Sequence, residues 1–174
     1  MAARNNTARL APTDAIAVRT FRELLRTYGL VERVMQPYFG RFGITGSQWG
    51  VLRNLHRAEA DGLAGLRLTA LSERLLIRPP SVTGAVDRLE RNGLVAREGD
   101  PTDQRAKRVR LTAAGRTLVQ NVLKAHERQI EAVLGGLPAA DQARLLRLLT
   151  RLGRHLEALA SQGPFSIHPS PSSG

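Results

Sequence analysis

The chain has 174 residues, 42% of them apolar, and carries 26 lysines and arginines against 15 acidic residues, a formal net charge of +11. That length suits one domain with an oligomerisation element, and the apolar share suffices for a core, which argues against wholesale disorder. There is no cysteine, no run near ~18 uncharged apolar residues, and no apolar stretch behind the polar, basic start; disulfides, thiolate chemistry and cysteine zinc sites are excluded, a membrane span and a secretory leader are not expected, and a soluble cytoplasmic chain is.

Residues 1–12 read as a flexible arm. From Thr13 the pattern turns helical: Thr13 or Asp14 caps, and Ile16, Val18, Phe21, Leu24, Leu25, Tyr28, Val31, Val34 and Met35 recur at two to four residues. The spacing predicts a helix to about Gln36, ~30 Å long, ended by Pro37 and the glycines at 40 and 43. Thr45-Gly46-Ser47 caps a second, shorter helix carrying Trp49, Val51, Leu52 and Leu55, which fades near Ala58. Leu66-Arg67-Leu68 reads as a short strand. Thr69 is expected to cap a third helix, with Leu71, Leu75 and Leu76 as its apolar side.

Pro79-Pro80 opens the next helix, where the missing N–H groups cost nothing. Val82, Ala85, Val86 and Leu89 form its buried stripe, and Asn92-Gly93 stops it. The period then changes to two. Leu94–Arg97 and Arg108–Leu111 read as two strands of a hairpin, joined by the turn formers Gly99-Asp100-Pro101-Thr102-Asp103. Thr112 caps a further helix through Leu118, Val119, Val122, Leu123, Ile130, Val133 and Leu134 to Gly135-Gly136. Pro138 opens the last helix, with leucines from Leu145 to Leu159, and the Pro/Ser/Gly-rich tail, 161–174, reads as disordered.

Three helices followed by a hairpin read as a winged helix-turn-helix, a mainly α fold with a two-stranded β wing. A strongly basic small chain most often meets a polyanion, usually nucleic acid. Only Lys107 and Lys124 are lysines; a GC-rich coding bias explains arginine over lysine but not the excess of cations over anions. On the expected recognition helix, Pro80 sits at the tip. Ser81, Thr83 and Gly84 offer short side chains and close backbone approach to base edges, and Asp87, Arg88 and Arg91 lie on the same outward side. On the hairpin, Arg105 is placed to enter a minor groove, held by Asp103, with Lys107, Arg108 and Arg110 adding charge.

Three segments carry a family resemblance. Leu68-Thr69-Ala70-Leu71-Ser72-Glu73-Arg74-Leu75, the stretch Ser81 to Val95, and Asp103-Gln104-Arg105 followed by a basic strand and Leu111-Thr112-Ala113-Ala114-Gly115 resemble the MarR (multiple antibiotic resistance regulator) family of transcription factors. The resemblance covers about Asp14 to Ala160. It implies a homodimer with 13–40 and 113–160 as dimerisation helices around a DNA-binding domain at 45–112. It also implies a repressor on double-stranded DNA with a roughly palindromic operator. The apolar stripes point the same way, since they hold more leucine and valine than a small DNA-binding lobe can cover.

Family members commonly release DNA on binding a small, often aromatic and anionic, effector, for which Tyr28, Trp49, Arg53 and His56 are the candidate lining residues. The loop before Leu66 resembles urate-responsive members. Those carry an Asp after the Trp and an Arg in the recognition helix, where this chain has Gly50 and Ala85. A constitutive regulator without an effector stays open as the alternative. His56, His126, His155 and His168 lack ligand spacing and read as scattered surface residues, so no metal or cofactor is expected. No phosphate loop, H-E-x-x-H or G-x-S-x-G is present, and the chain is not read as an enzyme.

Overall fold

The computed structural model describes residues 12–100 and 103–162, with side chains over 16–99 and 106–162. The expected arm and tail therefore lie almost wholly outside the described residues, as do the caps offered by the Thr13 and Asp14 side chains. The elements run α1 (Pro12–Gly40), α2 (Gly46–Ala60), β1 (Leu66–Arg67), α3 (Leu68–Leu75), α4 (Pro79–Arg91), β2 (Val95–Asp100), β3 (Asp103–Leu111), α5 (Ala113–Leu134) and α6 (Ala139–Ser161). The chain divides after Gln129 into two units.

In the first unit, α2 starts on a reciprocal cap. The Thr45 hydroxyl accepts from the Gln48 N–H, and the Gln48 side chain accepts from the Thr45 N–H at 2.8 Å. α3 packs against α2 and α4. Leu52, Leu55, Leu71, Val82, Val86 and Leu89 from these helices are fully buried with Val109 and Leu111 of β3 and Val119 and Val122 of α5. The sheet is antiparallel in the order β1-β3-β2, pairing Leu66 with Val109 and Val95 with Leu111. β1, where a short strand is expected, thus joins the two strands of the hairpin in one sheet. With period two, Val109 and Leu111 fall on the core face.

Four local expectations are corrected. α1 runs through Pro37 to Gly40 rather than ending near Gln36. Proline in a helix costs ~3 kcal/mol, but Tyr38 and Phe39 in the following turn are buried, and the Tyr38 hydroxyl donates to the Val122 carbonyl at 2.9 Å. Burying two such rings stabilises by ~1.5–3 kcal/mol each, which offsets the break. α3 starts two residues early, on Arg67 without a side-chain cap, so Thr69 lies inside its first turn. Leu76 is not on the apolar side of α3. It caps the helix in the left-handed region, φ 53°, and is 87% exposed. The strands of the hairpin are also longer than expected, resuming at Asp103 after β2 ends at Asp100. Continued pairing of Glu98 with Arg108 and Gly99 with Lys107 draws former loop residues into the ladder.

One junction ties four elements together. The Thr112 hydroxyl donates to the Gly93 carbonyl at 2.7 Å and accepts from the Gly115 N–H at 3.0 Å, capping α5. The Thr112 N–H donates to the Leu94 carbonyl at 3.1 Å. A Cβ on Gly115 would lie 2.0 Å from that same carbonyl oxygen.

The second unit holds the end of α5 and α6. The Gln142 amide donates to the carbonyls of Leu134 and Leu137, at 3.3 and 2.9 Å, closing the turn between them. α6 has no buried residue, and Leu146 and Leu148 are more than half exposed. On α1, Ile16, Phe21, Leu25, Tyr28 and Val34 are likewise more than half exposed.

Gly115→Ala forces β2 or α5 to move. Its expected cost is at least about 2 kcal/mol, read as a melting temperature lower by roughly 4–8 °C; an unchanged melting temperature contradicts the close approach.

Candidate nucleic-acid interface

α4 begins on Arg78 with two prolines in its first positions and no side-chain cap. Val82, Ala85, Val86 and Leu89 face the core, which turns Pro80, Ser81, Asp87 and Arg88 outward, all exposed. Thr83 and Gly84 are half-buried. The Thr83 hydroxyl donates to the Pro79 carbonyl at 3.0 Å, so its proton is spent on the helix and its oxygen is left to accept. A Cβ on Gly84 would meet only the Arg88 guanidinium, 4.0 Å away, and the helix surface there is low and open. Arg91 Nε donates to the Asp87 carbonyl at 3.4 Å.

The wing carries less free charge than its sequence. Arg110 pairs diagonally across the hairpin with Glu98, and its guanidinium holds the Glu98 carboxyl below the usual carboxylate range. Lys107 is exposed and Arg108 half-buried. Asp103 and Arg105 lie in β3 by backbone, but their side chains fall outside the described residues.

Sequence reasoning missed Arg97. Its Nη2 lies 2.6 Å from Asp87 Oδ1, its Nη1 pairs with Glu90 Oε2, and its backbone N–H donates to Glu90 Oε1 at 3.1 Å. Asp87, read from sequence as a candidate DNA contact, thus points its carboxylate at the wing's first strand. The signal was present: Asp87 and Glu90 are i, i+3 neighbours on one face of α4, shortly before a strand whose cation, Arg97, shares the face of buried Val95.

The four candidate effector residues are not brought together as a set. Trp49 is buried in the core, 5.3 Å between ring centroids from His126 and 6.1 Å from Phe39. Tyr28 is exposed and donates to Glu32 at 2.9 Å; it precedes the Tyr38–Phe39 pair by ten residues, ~15 Å along the helix. Arg53 is exposed and His56 half-buried on the α2 face that also carries Trp49. Gly50 is a packing position, since a Cβ there would lie 2.9 Å from Leu75 Cδ2.

His126 is corrected from a surface residue to a buried one. It stacks on Tyr38 at 5.8 Å and touches Phe39 and Trp49, and its Nδ1 has no hydrogen-bond partner among the described residues. Burial, with the nearby Arg53 cation, pushes it below the ordinary histidine range. The period of α5 puts position 126 four residues after buried Val122, a signal that its polarity concealed. Among the described residues no group of three or more histidines or carboxylates could hold a metal ion, and no helix is long and apolar enough to cross a membrane.

Comparison with known proteins agrees with this geometry. A MarR family model matches residues 42–106. The HTH-type transcriptional regulator YkoM of Bacillus subtilis is 34% identical over 93 residues, 53% of this chain and 60% of that relative; the match thus spans less than two thirds of the relative's length. Among solved structures, Bordetella bronchiseptica BpsR, whose DNA binding is regulated by 6-hydroxynicotinic acid, superposes with a TM-score of 0.68 at 26% identity, over 78% of this chain and 98% of its own. A structure described as a probable transcriptional regulator from Pseudomonas aeruginosa gives 0.66 at 28%, over 74% and 92%. A mutant of E. coli MarR with operator DNA gives 0.72 at 23%, over 82% and 99%, and shows the shared fold.

The depressed His126 fixes a sign for acid stability. The unfolded chain takes up this proton near the ordinary histidine value of 6.5 and the folded chain only at lower pH, so stability is full above that value and falls as pH drops through it. The melting temperature is expected to fall between pH 7.5 and 5.5, and less steeply in His126→Phe; parallel curves for the two proteins contradict the assignment.

Proposed function

We propose that the chain is a MarR-type, non-enzymatic, homodimeric transcription regulator that reads a palindromic operator in double-stranded DNA, acting as a ligand-responsive repressor; the family model that matches residues 42–106 supports this reading. The observation that carries this reading is α4 itself: an exposed tip of Pro80 and Ser81, a bare Gly84, then Arg88 at the side, with the β2–β3 wing next to it. Short side chains at the tip suit base edges and the arginine suits phosphate. Thr83 contributes an acceptor. Lys107 and Arg108 supply charge from the wing. The reading gives Arg105 the minor groove with Asp103 as its support, on the wing sequence alone.

The exposed apolar faces of α1 and α6 support the dimer. A helix face that leaves this many large apolar side chains exposed marks an interaction site in a soluble protein. The reading covers it with a second copy, residues 13–40 and 113–160 forming the bundle. Two-fold symmetry then sets the two α4 helices about one DNA turn, ~34–36 Å, apart.

The effector is the finer part. The BpsR likeness supports a small aromatic anion, with Arg53, His56 and Tyr28 at its margin. Burial of Trp49 favours the alternative, a constitutive regulator whose would-be pocket is filled by its own side chains. A thermal-shift panel of aromatic acids including 6-hydroxynicotinic acid separates the two. A compound that raises the melting temperature and weakens DNA binding supports the sensor; a panel without either effect supports the constitutive form.

Against a duplex selected by the wild-type chain from a randomised pool, Arg105→Ala should lose ~1–3 kcal/mol of binding, and unchanged affinity rejects the wing assignment. Lys107→Ala should weaken all duplexes alike and reduce the salt slope by ~1. Sedimentation should give a dimer for the wild type and a monomer for Leu149→Glu/Leu152→Glu; a wild-type monomer removes the two-fold reading.

A further inference from the structure

We propose that Arg97 is a positioning residue that locks the wing to the recognition helix at one angle, so that the two can engage adjacent grooves together. The inference rests on the DNA-binding reading above.

The guanidinium is committed to the protein. One end takes Asp87 at 2.6 Å, the other takes Glu90, and the Arg97 N–H adds a third bond to Glu90 at 3.1 Å. The Arg97 side chain is 19% exposed, whereas Arg88, Arg91 and Lys107 around it are exposed. It therefore sits inside the angle between α4 and β2 and does not offer itself to phosphate. Its two acceptors come from consecutive turns of α4, so the planar fork sees both at fixed directions, which a lysine ammonium cannot match.

The lock has work to do because the covalent link is a turn. α4 passes to β2 through Asn92, Gly93 and Leu94, with Gly93 at φ 68°. Backbone bonds from Gly93 and Leu94 to Glu90 and Leu89, each 2.9 Å, fix the base of the wing. They do not reach the rungs where Glu98 faces Arg108 and Gly99 faces Lys107. Arg97, opposite Val109, is the next rung inward, and it is where the side chains of α4 take hold of the wing. The same contact keeps Asp87 and Glu90 from standing as two uncompensated carboxylates on a helix meant to approach phosphates. The proposal assigns the principal effect to geometry, and the charge effect can be removed separately.

The probes are the duplex selected by the wild-type chain and a scrambled duplex of the same base composition. Arg97→Met is expected to reduce the ratio of the two affinities about tenfold or more and to speed hydrogen exchange at the Lys107 and Arg108 amides. Arg97→Lys should recover part of the ratio. Asp87→Asn/Glu90→Gln/Arg97→Met, more positive than wild type by one charge, should stay as poor in discrimination as Arg97→Met. Full recovery in that neutral triple variant overturns positioning in favour of charge cancellation, and an unchanged ratio in Arg97→Met overturns the role altogether. Should Arg97→Met fail to fold, Arg97→Lys carries the test, a wild-type ratio and exchange pattern counting against the lock. A wild-type chain that selects no duplex overturns the DNA-binding reading and this inference with it.

Discussion

The fold of the first unit hangs on the meeting of Thr112, Gly93, Leu94 and Gly115. Thr112 ends β3 and caps α5, and its hydroxyl and N–H both reach back to the turn after α4. Any side chain on Gly115 would strike the Leu94 carbonyl. The end of α4, the start and finish of the wing, and the root of α5 are thus one hydrogen-bonded node. The root of α5 is thereby joined to α4 and the wing by backbone atoms and one hydroxyl, without a long relay of side chains. The Leu-Thr-x-x-Gly run that marks the family resemblance is the sequence image of this node.

Sequence reasoning reads local signals well and cross-element contacts poorly. The Thr45 cap, the double proline opening α4, the Asn92-Gly93 stop and the inward Val109–Leu111 pair depend on neighbours within a few residues, and each is found where its chemistry asks. Pro37 defeats the local rule because Tyr38 and Phe39 gain burial against distant residues of α2 and α5. His126 and Arg97 were misjudged or missed for the same cause. A histidine on a helix declares neither the aromatic cage that closes over it nor the arginine near it. The pairing of Arg97 with Asp87 and Glu90 requires the α4–β2 angle, which no periodicity gives.

The basic excess also changes meaning once contacts are assigned. Between Leu66 and Thr112 the sequence holds ten basic and six acidic residues, yet much of that charge is internal. Arg97 answers Asp87 and Glu90, and Arg110 answers Glu98. What stays outward on the described residues of α4 and the wing is sparse, chiefly Arg88, Arg91 and Lys107. Such an array favours register over bulk attraction, while the cations of α1 and α6 contribute the long-range field.

α6 buries none of its own residues within its chain. With a second chain as the cover proposed above, folding of this helix and pairing of two chains become one equilibrium, and its position depends on how much protein is present. Dilution then acts like an effector: below some copy number the helix loses its cover, the two reading heads lose their fixed separation, and the operator is freed with no small molecule involved. On that reading, gene dosage and proteolysis of the unpaired form act on the regulator alongside any ligand.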